Sequence, residues 1–234
     1  MSDWQAKRFW KDTSVEVSDA GFRVLLDGRP VKTPAKSAFA VPSRALADLI
    51  ATEWQAQEDK IDPETMPFTR MANSAIDKVT PQHQAVAEML AEYGGSDLIC
   101  YRADGPVELI ERQAVAWDPL IAWAKNELNA PLEATTGVIF HVQPEDSLIA
   151  LRRQVLAMDP FVLTSFHDLV ALSGSLVIGF AALRGYDTPE NLWEVSRIDE
   201  SWQVHLWGKD EESEQMSAVK RQSFLDAWKF QSVL

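Results

Sequence analysis

The feature that most constrains the fold is one change in the spacing of the apolar residues, which occurs near Pro42. Before it, apolar and polar residues alternate in short runs bounded by turn residues, which is typical of half-buried strands. After it, apolar residues recur every three or four positions, which indicates helices. The sequence therefore predicts an α+β fold, with a small β-rich N-terminal domain over 1–50 and a larger all-helical domain over 51–234. We place the boundary within 42–60, because no flexible linker marks it.

Composition narrows the possible partners. The 234 residues are 46% hydrophobic, enough for a full core, and their net charge of −13 argues against nucleic acid or an anionic membrane as the main partner. A single cysteine, Cys100, excludes a disulfide framework and fits a reducing compartment. The longest apolar run, Leu169–Leu183, is too short to span a bilayer comfortably, so we expect a buried helix and no membrane insertion. We also expect no leader peptide, since MSDWQAKRFWK has no apolar core segment.

The chain has no recognisable catalytic motif. Its four histidines are scattered without the spacing of metal ligands, and the motifs of nucleophilic acyl transfer, dinucleotide binding and phosphate binding are missing from the sequence. Small residues in LSGSLVIGFA, within a helix predicted from Pro160 to Gly185, are better explained by close helix packing. We therefore predict no catalytic residue, no metal site and no cofactor.

The segment Thr188–Glu214 is the most unusual part of the chain. Thr188 and Pro189 suit a helix start and Gly208 suits a helix end, so the segment predicts one helix over 188–207. That helix would be apolar on most sides and therefore buried. The aromatic residues that we select in it as candidate partner anchors are Trp193, Trp202 and Trp207.

Two carboxylates, Asp199 and Glu200, fall on the apolar faces of this predicted helix. Because an unpaired buried charge is costly, each needs a partner. One interpretation is that each meets an Arg or Lys in a core ion pair, and the other is that they line a groove where a partner protein supplies a cation or an amide. Use as a catalytic acid/base pair is less favoured, since neighbours on a helix point about 100° apart.

An acidic cluster, Asp210–Glu212, follows Gly208. From Asp187 to Glu214 there are nine acids against two basic residues, a net charge of −7, so much of the chain's negative charge lies here. Such a cluster alone is most often a solvated helix start. The residues Asp210, Glu211 and Glu212 are nevertheless candidates for contact with a partner.

Several blocks, in order along nearly the whole chain, resemble one protein family. They are KRFWK at Lys7–Lys11, VLLDGRPVKTPAK at Val24–Lys36, EWQAQEDKIDPETMPFTRMANSAID at Glu53–Asp77, DLICYRA at Asp97–Ala103, WDPLIAW at Trp117–Trp123, LSGSLVIGFA at Leu172–Ala181 and SRIDESWQVHLWGKDEE at Ser196–Glu212. In these blocks the chain is similar to the assembly chaperones of F-type ATP synthase that guard the alpha subunit of the catalytic head.

The resemblance implies a non-enzymatic chaperone with a β-rich N-terminal and a helical C-terminal domain. It would bind the unassembled alpha subunit and shield the surface that the beta subunit later covers. The family's important acidic positions should fall at Asp199, Glu200 or Asp210–Glu212. We expect a bacterial cytoplasmic protein, or a mitochondrial matrix protein for a processed eukaryotic form. The alternatives are a small-molecule enzyme that uses the Asp199 and Glu200 carboxylates, and a structural scaffold subunit that stays bound.

Overall fold

Residues 7–234 are described by the computed structural model, and they form two compact units. The N-terminal unit contains residues 7–83 together with 160–165 and 229–234, and the helical unit contains 84–159 and 166–228. The boundary between residues 50 and 51, placed within 42–60, stays a prediction.

The N-terminal unit is built on a three-stranded antiparallel sheet in the order β1 (Thr13–Ser18), β2 (Gly21–Leu26), β3 (Arg29–Pro30). Asp27 and Gly28 connect β2 to β3 with φ angles of 48° and 77°, a left-handed conformation that Gly and Asp tolerate. The Asp27 carboxylate accepts hydrogen bonds from the amides of Asp12 and Lys11, which lowers its pKa.

Helix α1 (Arg44–Gln55) covers one face of this sheet. Its first turn is capped by the Ser43 hydroxyl, which accepts a hydrogen bond from the Leu46 amide at 3.0 Å. The Glu53 carboxylate, at the other end of α1, accepts hydrogen bonds from the amides of Phe68 and Thr69 at 2.7 and 2.8 Å. It thereby joins α1 to the start of α2 (Pro67–Ser74).

The rest of the chain is mainly helical, and the α+β class is confirmed. A short parallel pair joins β4 (Tyr101–Arg102) to β5 (Thr135–Thr136). The longer helices are α3 (His83–Ala91), α4 (Val107–Glu127), α5 (Glu145–Leu156), α6 (Pro160–Ser173), α7 (Leu176–Leu183), α8 (Pro189–Ser196), α9 (Ile198–Trp207) and α10 (Glu211–Ser232). Single turns of 3-10 or π helix lie at Pro63–Thr65, Ala75–Val79, Thr80–Gln82, Glu92–Gly95 and Leu98–Cys100. Among residues 7–234, no helix is both long enough and apolar enough to cross a membrane.

The helix predicted from Pro160 to Gly185 is two helices. Gly174 breaks it with a φ of +74°, and the Ser175 hydroxyl caps α7 by accepting from the Ile178 amide at 3.0 Å. The close packing predicted from the small residues is confirmed, because a Cβ atom on Gly179 would lie 2.6 Å from Cγ2 of Val170 in α6.

A buried carboxylate holds the start of α7. Asp97 is fully buried and accepts hydrogen bonds from the amides of Ile99 at 3.2 Å and Val177 at 3.0 Å. Removal from water raises the pKa of Asp97 from its ordinary 3.8 to about 6, although these hydrogen bonds oppose the rise.

Candidate partner-binding surface

The single helix predicted over 188–207 is wrong, because the structure divides it at Arg197 into α8 and α9. The backbone of Arg197 has φ −113° and ψ 19°, outside helical geometry. Its guanidinium turns back to donate hydrogen bonds to the carbonyls of Leu172 and Ser173, each at 3.2 Å, and lies over the Trp193 ring at 4.9 Å. These contacts satisfy the carbonyls at the end of α6 and fix the bend.

Helix α8 has the buried character that was predicted. Its start is capped by the Thr188 hydroxyl, which accepts from the Asn191 amide at 3.3 Å. Trp193 is only 2% exposed and packs against Phe224 of α10, with the ring centroids 5.7 Å apart. The structure therefore places Trp193 in the core of the helical unit, and its predicted role as a partner anchor stays a prediction.

Helix α9 differs from the prediction, because only Ile198 among its residues is buried. Trp202 is half-buried and lies 6.1 Å from the His205 ring. Leu206 is 55% exposed and Trp207 is 85% exposed. The expectation of a buried helix is wrong here because the turn at Arg197 directs the apolar residues at the end of α9 into solvent. Gly208 ends the helix, as predicted, with a φ of +88°.

Asp199 is half-buried, and its partner is an amide. Its carboxylate accepts a hydrogen bond from Nε2 of Gln113 at 2.6 Å. Gln113 is buried, and its side-chain oxygen accepts from the Ala103 amide at 2.8 Å. The interpretation of Asp199 as half of a core ion pair is therefore wrong, and the sequence did not reveal Gln113 as its partner.

Glu200 points to a different partner. It forms an ion pair with Arg197, three positions earlier, with a distance of 2.9 Å between Nη1 and Oε1. The Arg partner agrees with the first interpretation, but the Glu200 side chain is more than half exposed, so the pair does not lie in the core. The two neighbouring carboxylates are held by separate partners and do not form a shared acid/base pair.

The acidic cluster begins α10. The Asp210 carboxylate accepts a hydrogen bond from the Ser213 amide at 2.9 Å, which lowers the pKa of Asp210 and caps the helix. Glu211 and Glu212 are exposed in the first turn, where the helix dipole favours negative charge. Within the described residues 7–234, no group of histidine, cysteine or acidic side chains could hold a metal ion.

Exposed apolar residues continue on either side of this acidic turn. We define the α9–α10 surface as the exposed apolar residues of α9 and α10, the half-buried Trp202, and the carboxylates of Glu200 and the acidic cluster. Its members are Glu200, Trp202, Val204, Leu206, Trp207, Asp210, Glu211, Glu212, Met216 and Val219. The surface combines an exposed aromatic ring, aliphatic side chains and carboxylates, which can together bind a partly apolar protein face.

Comparison with known proteins identifies the family. The family described as ATP12 chaperone protein matches residues 7–125. The chain is similar to Atp12 from Paracoccus denitrificans, with a TM-score of 0.95 and 49% identity over 97% of this chain and 98% of that one. It is also similar to the Atu1473 protein from Agrobacterium tumefaciens, with a TM-score of 0.93 and 38% identity over 97% of this chain and 85% of that one.

A eukaryotic relative extends the match. The chain is 25% identical over 222 residues to the mitochondrial protein atp12 of Schizosaccharomyces pombe. This match covers 90% of this chain and 76% of the relative. The chain therefore belongs to the ATP12 chaperone family, a family of non-enzymatic chaperones for ATP synthase assembly.

Proposed function

We propose that this protein binds the unassembled alpha subunit of the ATP synthase catalytic head and shields the surface that the beta subunit later covers. The observation that carries the proposal is the α9–α10 surface, which leaves Trp207 85% exposed on an ordered helix. A subunit isolated from its hetero-oligomer exposes an apolar interface that favours aggregation. A chaperone with a matching apolar surface can cover that interface until the final partner arrives.

The members of the surface have different roles in this proposal. Trp207 and Leu206 are the anchors, because large exposed side chains gain most from burial against a client. Glu200 and the carboxylates of Asp210–Glu212 attract basic groups of the client and set its orientation. Trp202 is half-buried and contributes the exposed part of its side chain. Trp193 and Asp199 hold α8 and α9 in place from beneath, through Phe224 and Gln113.

The two alternatives are less well supported. A small-molecule enzyme would require Asp199 and Glu200 to converge on one substrate, but they take separate partners. A scaffold subunit would remain bound to the mature enzyme, which co-purification can examine directly. We propose a bacterial cytoplasmic location, with the mitochondrial matrix for a processed eukaryotic form, since both match where an unassembled catalytic head would be found.

The decisive experiment follows the aggregation of freshly refolded alpha subunit by light scattering. The protein should suppress scattering, and the beta subunit added afterwards should displace it. A Leu206→Ser, Trp207→Ser double variant should lose most of the suppression with unchanged thermal unfolding, because both side chains are exposed. Val115→Ser, at a 79% exposed valine of α4, is the matched control and should behave as the wild type. Unsuppressed aggregation by the wild type would refute the proposal.

A further inference from the structure

A second exposed apolar segment lies in the helical unit, within the loop that follows β5. Four large apolar residues between Gly137 and Gln143 have from 66% to 95% of their surface exposed. They are Val138, Ile139, Phe140 and Val142, and only His141 interrupts them. Four such side chains in five positions form a larger apolar patch than single exposed hydrophobic residues do, and patches of this kind mark interaction sites.

Both ends of this loop are anchored. At one end the Gly137 amide donates a hydrogen bond to the Arg102 carbonyl at 2.8 Å, directly after the β4–β5 pair. At the other end the buried side chain of Gln143 accepts a hydrogen bond from the Glu133 amide at 2.8 Å and donates one to the Glu133 carbonyl at 2.9 Å. The apolar residues are therefore held in an ordered loop, and presenting them to a partner costs less conformational entropy than ordering a free tail.

A groove of about 520 Å³ runs beside the loop, between α5 and the turn Glu92–Gly95. Phe140 from the loop and Leu148 and Ile149 from α5 supply its apolar lining. Ile149 is itself 57% exposed, so the apolar surface of the loop continues onto the helix.

Charge distinguishes this groove from a neutral apolar cleft. Its lining contains three carboxylates, Glu88, Glu92 and Glu145, and one guanidinium, that of Arg152. Arg152 is already paired with Glu88 at 2.7 Å. Among residues 7–234, Glu92 and Glu145 take part in none of the ion pairs, so the groove has an excess of two negative charges. A ligand that fits must therefore combine apolar groups with positive charge.

We infer that this groove and the 137–142 loop are a second client-binding site, which takes a polypeptide segment of the client with apolar side chains next to a Lys or Arg. The inference rests on the proposed function, since the client is the same alpha subunit. A second copy of this chain is a poorer occupant, because a net charge of −13 makes two copies repel one another. Two separate contacts with one client also raise the overall affinity without any single strong site.

The affinity test uses labelled, refolded alpha subunit and fluorescence anisotropy at low and high salt. A Val138→Ser, Ile139→Ser, Phe140→Ser variant should weaken binding roughly tenfold, since several apolar groups lose their burial. A Glu92→Gln, Glu145→Gln variant should weaken binding several-fold at low salt and have little effect at high salt, where the charges are screened. Val115→Ser is the control, and thermal unfolding shows that each variant is folded.

The outcomes separate this inference from the proposed function. Unchanged affinity in both groove variants, with weaker binding by the Leu206→Ser, Trp207→Ser variant, overturns the inference alone. No binding by the wild type overturns the proposed function and the inference together. Photo-cross-linking from a Phe140→p-benzoylphenylalanine variant should label a client peptide that contains apolar residues beside Lys or Arg. Cross-linking to a second copy of this chain, with a dimer on sedimentation, would instead assign the groove to self-association.

Discussion

Helices α8 and α9 follow one another in the chain and both carry tryptophan, one in α8 and two in α9, but they have opposite environments. Trp193 of α8 is 2% exposed beneath α10, whereas Trp207 of α9 is 85% exposed. The difference arises at Arg197, whose hydrogen bonds to the end of α6 turn the chain before the second helix begins. Apolar residues of one kind thus serve as core in one helix and as an accessible surface in the next.

The largest expected effect tests this contrast directly. Trp193→Ala should lower the free energy of unfolding by about 3–5 kcal/mol, because it leaves a cavity against Phe224. Trp207→Ala should lower it by less than about 0.5 kcal/mol but should weaken alpha-subunit binding at least roughly tenfold. Urea denaturation and a binding titration on both variants measure the two effects. Equal losses of stability would show that α9 is packed as α8 is.

Two acidic residues of the helical unit differ in burial in the same way as the two tryptophans. Asp97 is fully buried, whereas Asp199 is half-buried. The folded pKa of Asp97, about 6, lies above its ordinary 3.8, so between these values the folded chain holds a proton that the unfolded chain has lost. Its contribution to stability is complete below about pH 4 and is lost as the pH rises through 6, a change of about 3 kcal/mol.

An Asp97→Asn variant should lack this contribution to the pH dependence. Between about pH 4 and about pH 7, the wild type should lose about 3 kcal/mol of unfolding free energy relative to the variant. Urea denaturation across that range measures it, and the other carboxyl groups cancel because both chains share them. A difference that does not change with pH would show that Asp97 titrates normally.

The bend itself can be perturbed with a smaller effect. Arg197→Ala removes the donors to the carbonyls of Leu172 and Ser173, and it should cost about 1–3 kcal/mol in unfolding free energy. Arg197→Lys keeps the charge but cannot serve both carbonyls and Glu200 at once, so its loss should be intermediate. In the Arg197→Ala variant, the backbone amides of α9 should exchange their hydrogens faster than those of α8. Uniform protection of both helices in Arg197→Ala would mean that other contacts set the bend.

The smallest effects concern the two neighbouring carboxylates. Glu200→Gln breaks a surface ion pair, so its loss of stability should be below about 1 kcal/mol, while alpha-subunit binding should weaken several-fold at low salt. Asp199→Asn should act through α9, with a somewhat larger loss of stability, because Gln113 is buried beneath it. If both variants fold and bind with unchanged affinity, neither carboxylate contributes to client recognition.

Local patterns allowed the broad fold to be predicted. The change from strand to helix spacing near Pro42 is a property of neighbouring residues, and the structure follows it. The breaks at Gly174 and Arg197 were missed for different reasons. The break at Gly174 has a local signal, since the glycine is followed by Ser175, which caps α7, but apolar periodicity alone does not register it. The break at Arg197 depends on contacts with distant residues, the carbonyls of Leu172 and Ser173. Helix periodicity contains no information about such partners.

The candidate surface was predicted only in part for a related reason. An apolar stripe shows that a face will be covered, but it does not show whether the same chain or another molecule covers it. The sequence consequently placed Trp193 and Trp207 in one class. The exposed segment at 137–142 was missed because it has no regular period, and its only signal is the run Val138–Phe140 after a glycine.

The contact between Gly179 and Val170 has a consequence for how this protein can vary. Because a Cβ atom at 179 would lie 2.6 Å from a methyl group of residue 170, the two positions share one fixed volume between α6 and α7. Removing a methyl group at 170 opens room for a Cβ atom at 179, but that atom still meets the Phe166 ring at 3.1 Å, so the ring must also shift by a few tenths of an ångström. A side chain at 179 is therefore harmful by itself, and a smaller residue at 170 relieves only part of the resulting clash.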